Sequence, residues 1–276
     1  MRASVFRNIL KTWLLVLAFV GVIALLGWSL GGLRLVSVFG SSAMLIALGA
    51  YLSCDRAVLG MIGAREVPLG EAPLLHSTLE RLAARAQIVK PRLYIVPAGL
   101  PLSAATGRGA RGSAIVVTSG CVSACTPAEL EGVLAHEIAH VRLHDVPVQN
   151  TAVLVGSLVL ETTRVGGLVR RALLFIFGPV AAAFVHLLIS PKRELAADRL
   201  AAELCGSPAG LADALVRLDQ AGELVEFEGS PATEPLFIVN PFAADGLAAL
   251  FDTHPPVAER VRRLRAMAAD HEKEPR

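Results

Sequence analysis

The sequence predicts an α+β protein, mostly helical with a small sheet, that also carries transmembrane helices. Of its 276 residues, 54% are apolar, and a mean hydropathy of +0.57 is too high for an ordinary soluble domain. Two uncharged apolar runs lie near the start of the chain, which is the pattern of membrane spans. The middle of the chain combines helical periodicity with short β-rich runs, as in an α+β domain.

The first predicted element is a transmembrane hairpin. Residues 13–30 and 35–54 carry no charge, and each run can cross a hydrocarbon core of roughly 30 Å as a helix. A cleaved signal peptide is disfavoured for the first run, because it exceeds the usual apolar region of about 7–15 residues. The connection carries a single positive charge, Arg34, whereas several flank the outer ends of the hairpin. Positive charge therefore predicts that both ends face the cytoplasm.

The next segment, about residues 66–146, reads as globular. Leu75, Leu79 and Leu82 have helical spacing. The runs RLYIVPA and SAIVVTSG are rich in β-branched residues and bounded by Pro or Gly, so both predict strands. We interpret the glycine-rich ATGRGARG between them as a turn, and SAIVVT as an edge strand on which an extended substrate could pair.

A second apolar stretch spans residues 151–190, followed by a mixed, mostly helical part from 191 to 276. Glu161 and Arg164 interrupt the first half of the apolar stretch. Two further spans or a hairpin at the membrane surface both fit this pattern, and we favour four membrane-associated helices in total. The net charge of +2 gives no indication of a nucleic-acid partner.

The stretch GVLAHEIAHVRLHD carries the chemistry. His136 and His140 lie four residues apart, so a helix places them on one face, where they can share a metal ion. The preceding residues predict such a helix, because Thr126 can cap it, Pro127 suits its first position and Glu129 completes a capping box. An HExxH pattern is expected by chance only about 0.01 times in a chain of this composition.

A catalytic zinc site needs a third protein ligand and an open position. In the stretch SPKRELAADRLAAEL, Glu194 and Asp198 share a helix face, so one could bind a metal while the other orients a ligand histidine. His144 competes as a ligand. Three helical histidines spaced by four drift about 80° from a common line, so we interpret His144 as a helix-end residue.

These motifs resemble the HtpX family of membrane zinc endopeptidases, which is related to the Ste24-type CAAX prenyl proteases. The resemblance lies in HEIAH and RELAAD and, in family order, in AREVPLGEAP, PRLYIVPA, ATGRGARGSAIVVTSG, TPAELEGVLAHEIAH, LFIVNPF and LFDTHPPVAERVRRLRAM. It covers most of the chain. It implies a zincin-like (gluzincin) metalloprotease domain.

The resemblance also implies roles for individual residues. His136, His140 and Glu194 would hold one zinc ion per subunit, Glu137 would be the general base, and Asp198 would support the histidines.

Two further residues follow from the family pattern, and one position departs from it. His254 and Arg260, in the HPP…ER pattern, would approach the reacting carbonyl. The family often reads NAFATG where this chain reads LSAATG, so Leu102 stands in place of an asparagine that holds substrate.

The expected function is therefore that of a membrane-bound zinc endopeptidase for membrane or misfolded proteins, acting in membrane protein quality control. Residues 1–57 would form the transmembrane hairpin, and residues 58–276 the protease domain, interrupted at about 147–190 by a membrane-associated hairpin. Protein substrates and the lipid bilayer are the expected partners. We expect the bacterial inner membrane as location, with the catalytic domain facing the cytoplasm.

The sequence disfavours two rival interpretations. An intramembrane protease would bury the HExxH helix in lipid, which Glu129, Glu131 and Arg142 around the motif oppose. A non-enzymatic zinc-binding scaffold, or an inactive relative, has no need of Glu137.

Overall fold

The computed structural model describes residues 2–107, 109, 112–151, 153, 190–222, 236–239 and 253–273. Most of the membrane-associated hairpin that we predicted at about 147–190 lies outside these residues.

The first element is a helical hairpin. Helix α1 (Arg2–Met61) leaves helical geometry at Gly31 and Gly32, where Gly32 has φ 65°. A side chain would be strained at this φ, which glycine adopts freely. A Cβ atom on Gly40 would lie 3.5 Å from the Cβ of Ala24, so the two halves of α1 pack against each other.

Large apolar side chains cover the outside of this hairpin. Leu25, Trp28 and Leu33 are 63%, 60% and 83% exposed. Over the described part of the chain, no helix qualifies as long and apolar enough to cross a membrane.

A mixed four-stranded sheet follows in the order β1-β2-β4-β3. Strands β2 and β4 are parallel, and the other neighbours are antiparallel. The strands are β1 (Arg65–Glu66), β2 (Arg92–Val96), β3 (Ser103–Gly107) and β4 (Ser113–Thr118). The two strands predicted from RLYIVPA and SAIVVTSG are confirmed.

Strand β3 corrects two predictions. Its sequence SAATG falls largely within the segment that we interpreted as a turn, yet it pairs with β4 over its whole length, for example Ala105 with Ile115. Because β3 covers that side of β4, SAIVVT is a central strand and the prediction of an edge strand was wrong. The outer side of β3 also carries an isolated antiparallel bridge from Ala104 to Phe237.

Six further helices complete the described part of the chain, and the predicted mostly helical α+β class is confirmed. Helix α4, which carries HEIAH, lies at the centre and packs against α2, α5, α6 and both β3 and β4. The helices are α2 (Pro73–Arg85), α3 (Ser119–Ala124), α4 (Pro127–Leu143), α5 (Pro191–Cys205), α6 (Ala209–Gly222) and α7 (Val257–Lys273).

Glycines allow α4 and α6 to approach closely. A Cβ atom on Gly132 would lie 2.6 Å from the backbone nitrogen of Leu211, and one on Gly210 would lie 2.5 Å from the carbonyl oxygen of Ala128. Any side chain at these positions would push the helices apart, so the backbone contact fixes α4 against α6.

Candidate metal centre

The start of α4 is built as the sequence predicted. Thr126 is the N-cap and Pro127 follows it. The backbone N–H of Thr126 donates to Glu129 Oε2 at 2.7 Å, and that of Glu129 donates to Thr126 Oγ1 at 3.3 Å. Arg217 of α6 also donates to both carboxylate oxygens of Glu129. Burial would raise the pKa of Glu129, but these hydrogen bonds prevail and lower it.

One turn of α4 presents both histidines to the interior. His136 and His140 are 0% and 3% exposed, and their Nε2 atoms lie 3.0 Å apart. Their rings are almost perpendicular, at 86°. The helix thus directs two nitrogen donors to one point, as the spacing predicted.

Helix α5 brings Glu194 to the same point. Ser190 caps this helix, which places Glu194 in its first turn. Glu194 Oε2 lies 3.4 Å from His136 Nε2, and Oε1 lies 3.5 Å from His140 Nε2. The donor atoms of these three residues all lie within 4.8 Å of one another. Within the described ranges, they form the group that could hold a metal ion.

The donor set fits a tetrahedral divalent cation. Zinc–nitrogen and zinc–oxygen bonds of about 2.0–2.1 Å imply ligand atoms about 3.3 Å apart, and the observed separations are 3.0–3.5 Å. Moreover, Glu194 Oε2 is buried and has no hydrogen-bond partner among the described residues. A buried carboxylate oxygen of this kind needs a cation or a donor.

The electrostatics of the group also favour a cation. Burial would lower the pKa of His140, but the charges of Glu194 and Asp145 outweigh burial and raise the pKa to about 10. Burial would likewise raise the pKa of Glu194, yet His140 and His254 hold it well below its usual range. The site therefore stabilises positive charge between its donors.

A second layer of carboxylates orients the histidines through their other nitrogens. Asp198 Oδ1 lies 3.0 Å from His136 Nδ1, in the supporting position that the family pattern implied, although the pair does not meet the geometry of a hydrogen bond. Asp145 Oδ2 lies 3.3 Å from His140 Nδ1, and Arg193 Nε donates to Asp145 Oδ1 at 2.8 Å. Such contacts fix the tautomer and the direction of a ligand imidazole.

Sequence reasoning did not assign this role to Asp145. Its signal was present, since Asp145 ends the GVLAHEIAHVRLHD stretch five residues after His140. The turn at His144, which adopts a left-handed C-cap with φ 59°, brings Asp145 back to the ring. His144 is thus a helix-end residue, as predicted.

Arg260 lies behind Asp198 and is 0% exposed. Its Nε and Nη2 atoms donate to the two oxygens of Asp198, both at 2.8 Å, and Nη1 donates to the carbonyl oxygen of Ile238 at 2.6 Å. These contacts direct the guanidinium at Asp198 and the backbone, while Nη2 also lies 3.8 Å from Glu194 Oε2. The expected approach of Arg260 to a reacting carbonyl stays a prediction. His254 remains at the site, with Nε2 3.8 Å from Glu194 Oε2.

Glu137 is 1% exposed and faces β3. Its Oε1 accepts a hydrogen bond of 2.6 Å from Ser103 Oγ, a residue that sequence reasoning did not assign. Burial raises the pKa of Glu137, while both site histidines and Ser103 oppose this rise.

Leu102, the departure from the family pattern, is buried and lines a small apolar cavity with Val116 and Phe237.

Comparison with known proteins gives consistent matches over most of the chain. Residues 70–268 match the model of peptidase family M48. The chain is 38% identical to a Protease HtpX homolog of Persephonella marina, covering 94% of this chain and 97% of that protein. It is also 38% identical to a Protease HtpX homolog of Pelotomaculum thermopropionicum, covering 95% and 99%. Among solved structures, Ste24p of S. mikatae is 20% identical with a TM-score of 0.49, covering 96% of this chain and 66% of that one.

Proposed function

This chain belongs to peptidase family M48, and from that membership we propose that it is a membrane-bound zinc endopeptidase. The observation that carries the proposal is the convergence of His136, His140 and Glu194 beside Glu137 in the buried centre of the protein. We assign the first three as ligands of one zinc ion per subunit and Glu137 as the general base.

The proposed reaction is hydrolysis of a peptide bond. When bound, zinc would polarise the carbonyl and lower the pKa of water to about 7. Glu137 takes a proton from the attacking water, whose oxygen bonds to the carbonyl carbon. The carbon–nitrogen bond then breaks, and Glu137 returns the proton to the leaving amine nitrogen. Asp198 and Asp145 keep the two histidines in the ligating tautomer.

We assign His254 to the stabilisation of negative charge that develops on the carbonyl oxygen. Its support is the position of Nε2, 3.8 Å from Glu194 Oε2 and therefore beside the donor group.

We propose that the N-terminal hairpin is transmembrane, residues 1–57, and that the protease domain comprises residues 58–276. Support comes from the uncharged runs and from the exposed apolar side chains of α1, which suit contact with lipid. With its positive flanks facing inward, the protease domain lies in the cytoplasm at the bacterial inner membrane. Membrane proteins and misfolded proteins near that surface are the proposed substrates.

Zinc analysis and proteolysis of casein by the purified full chain test the proposal. We expect about one zinc per subunit, cleavage that a chelator stops, and a Glu137→Gln variant that keeps zinc but does not cleave. Zinc without chelator-sensitive cleavage would instead indicate the zinc-binding scaffold. Full activity of Glu137→Gln would refute the assignment of the base.

A further inference from the structure

We propose that Ser103 is a positioning residue that holds the carboxylate of Glu137 in the orientation needed for proton transfer. The inference rests on the proposed function, in which Glu137 is the base. It starts from the 2.6 Å hydrogen bond from Ser103 Oγ to Glu137 Oε1.

The contact joins two different layers of the fold. Ser103 is the first residue of β3, where its backbone is in register with Val117 of β4. Glu137 lies on α4, one residue after the ligand His136. Because sheet pairing fixes the backbone of Ser103, its hydroxyl gives the carboxylate a reference point outside its own helix.

Burial makes this hydrogen bond important. Ser103 and Glu137 are both 1% exposed, so bulk water does not compete for the contact. Among the described residues, Ser103 is the one side chain that donates a hydrogen bond to Glu137. A glutamate has three side-chain torsions, and anchoring Oε1 selects one arrangement of them. Oε2 is then left for the proton of the attacking water.

The chain provides a matched control in Ser113. This residue lies on the neighbouring strand β4 and is 4% exposed. Within the described part of the chain, its buried hydroxyl has no hydrogen-bond partner. Ser113→Ala therefore removes the same atom from a similarly buried strand position without removing a contact to Glu137.

The first experiment measures kcat and KM of the zinc-loaded full chain with a fluorogenic peptide. We expect Ser103→Ala to lower kcat roughly 10–100-fold, the loss typical of a hydrogen bond to a charged group, with KM within about twofold. Ser103→Thr keeps a hydroxyl donor and retains most of kcat. Ser103→Cys keeps the volume but donates weakly, so it resembles the alanine variant. Ser113→Ala stays close to wild type.

A second measurement is independent of activity. In metal-free protein, we expect Ser103→Ala to lower the midpoint of thermal unfolding when Glu137 is present, and to lower it much less in a Glu137→Ala background. Zinc content of Ser103→Ala should equal that of wild type.

Three results would overturn the inference: an unchanged kcat in Ser103→Ala, loss of kcat together with loss of zinc, or equal destabilisation in both backgrounds. An active Glu137→Gln variant would instead reject the proposed base. An inactive Glu137→Gln beside a fully active Ser103→Ala would reject the role of Ser103 alone.

Discussion

Replacing Arg260 by methionine should destabilise the protein strongly. Methionine replaces the aliphatic stem of arginine but has neither charge nor donors, so the change removes both hydrogen bonds to Asp198 and the one to the carbonyl oxygen of Ile238. Asp198, only 4% exposed, would lose the guanidinium that compensates its negative charge. Arg260 and its hydrogen bonds hold the pKa of Asp198 down to about 2 against the effect of burial, which raises it.

The structure allows the size of the effect to be worked out. Removing one partner of a buried ion pair costs about 3–5 kcal/mol, because the other charge is left uncompensated. For a chain of this size, that corresponds to a fall of about 6–20 °C in the midpoint of thermal unfolding. A less well oriented His136 should also weaken zinc binding roughly 10–100-fold.

Thermal unfolding of the metal-free full chain in detergent, and chelator competition for zinc, provide the assays. Arg263→Met is the control, since this arginine lies on the same helix, is 55% exposed and pairs with Glu259. It should change stability by less than about 1 kcal/mol. Combining Arg260→Met with Asp198→Asn should cost less than the sum of the single changes. Strict additivity, or an Arg260→Met midpoint equal to that of the control, would refute this reasoning.

Three more predictions concern the surroundings of the site. Glu129→Gln should lose roughly 0.5–1 kcal/mol of stability at pH 7. Because the folded pKa of Glu129 is lowered, wild type has this stability above the unfolded pKa of about 4.3 and loses it as pH falls through the folded pKa, so the stabilities measured by denaturant unfolding should converge over that range. Gly132→Ala should lower the unfolding midpoint because its Cβ meets the backbone of α6, at a cost of about 1–3 kcal/mol, whereas Gly60→Ala, whose Cβ meets nothing within 4 Å, should not. Asp145→Asn should weaken zinc binding roughly 10–100-fold in chelator competition, and Asp213→Asn, 59% exposed, should leave it unchanged.

Local patterns predicted most of the group that we propose as metal ligands. The spacing of His136 and His140 and the cap formed by Thr126 and Glu129 involve residues within one or two helical turns, so the sequence contains all the information that they need. The choice between Glu194 and Asp198 as third ligand was different. Their helical spacing left it open, and only family resemblance indicated Glu194.

Strand β3 shows where sequence patterns were insufficient. Its residues SAATG are small and lack the bulky alternation that predicts a strand. It is a strand because β4 offers backbone hydrogen-bonding groups along its whole length. The same pairing makes β4 central and brings Ser103 to Glu137, two consequences that no local window contains.

The sequence by itself determined the chemistry available to this protein: a capped helix with two imidazoles on one face, a carboxylate between them, and a second helix that begins with carboxylates. The tertiary structure decided which distant groups serve that chemistry. Asp145 folds back after the helix end, and Arg260, 62 residues beyond Asp198, supplies its counter-charge. The physical reason is that buried charges require partners, and packing of separate helices and strands determines which partners are near.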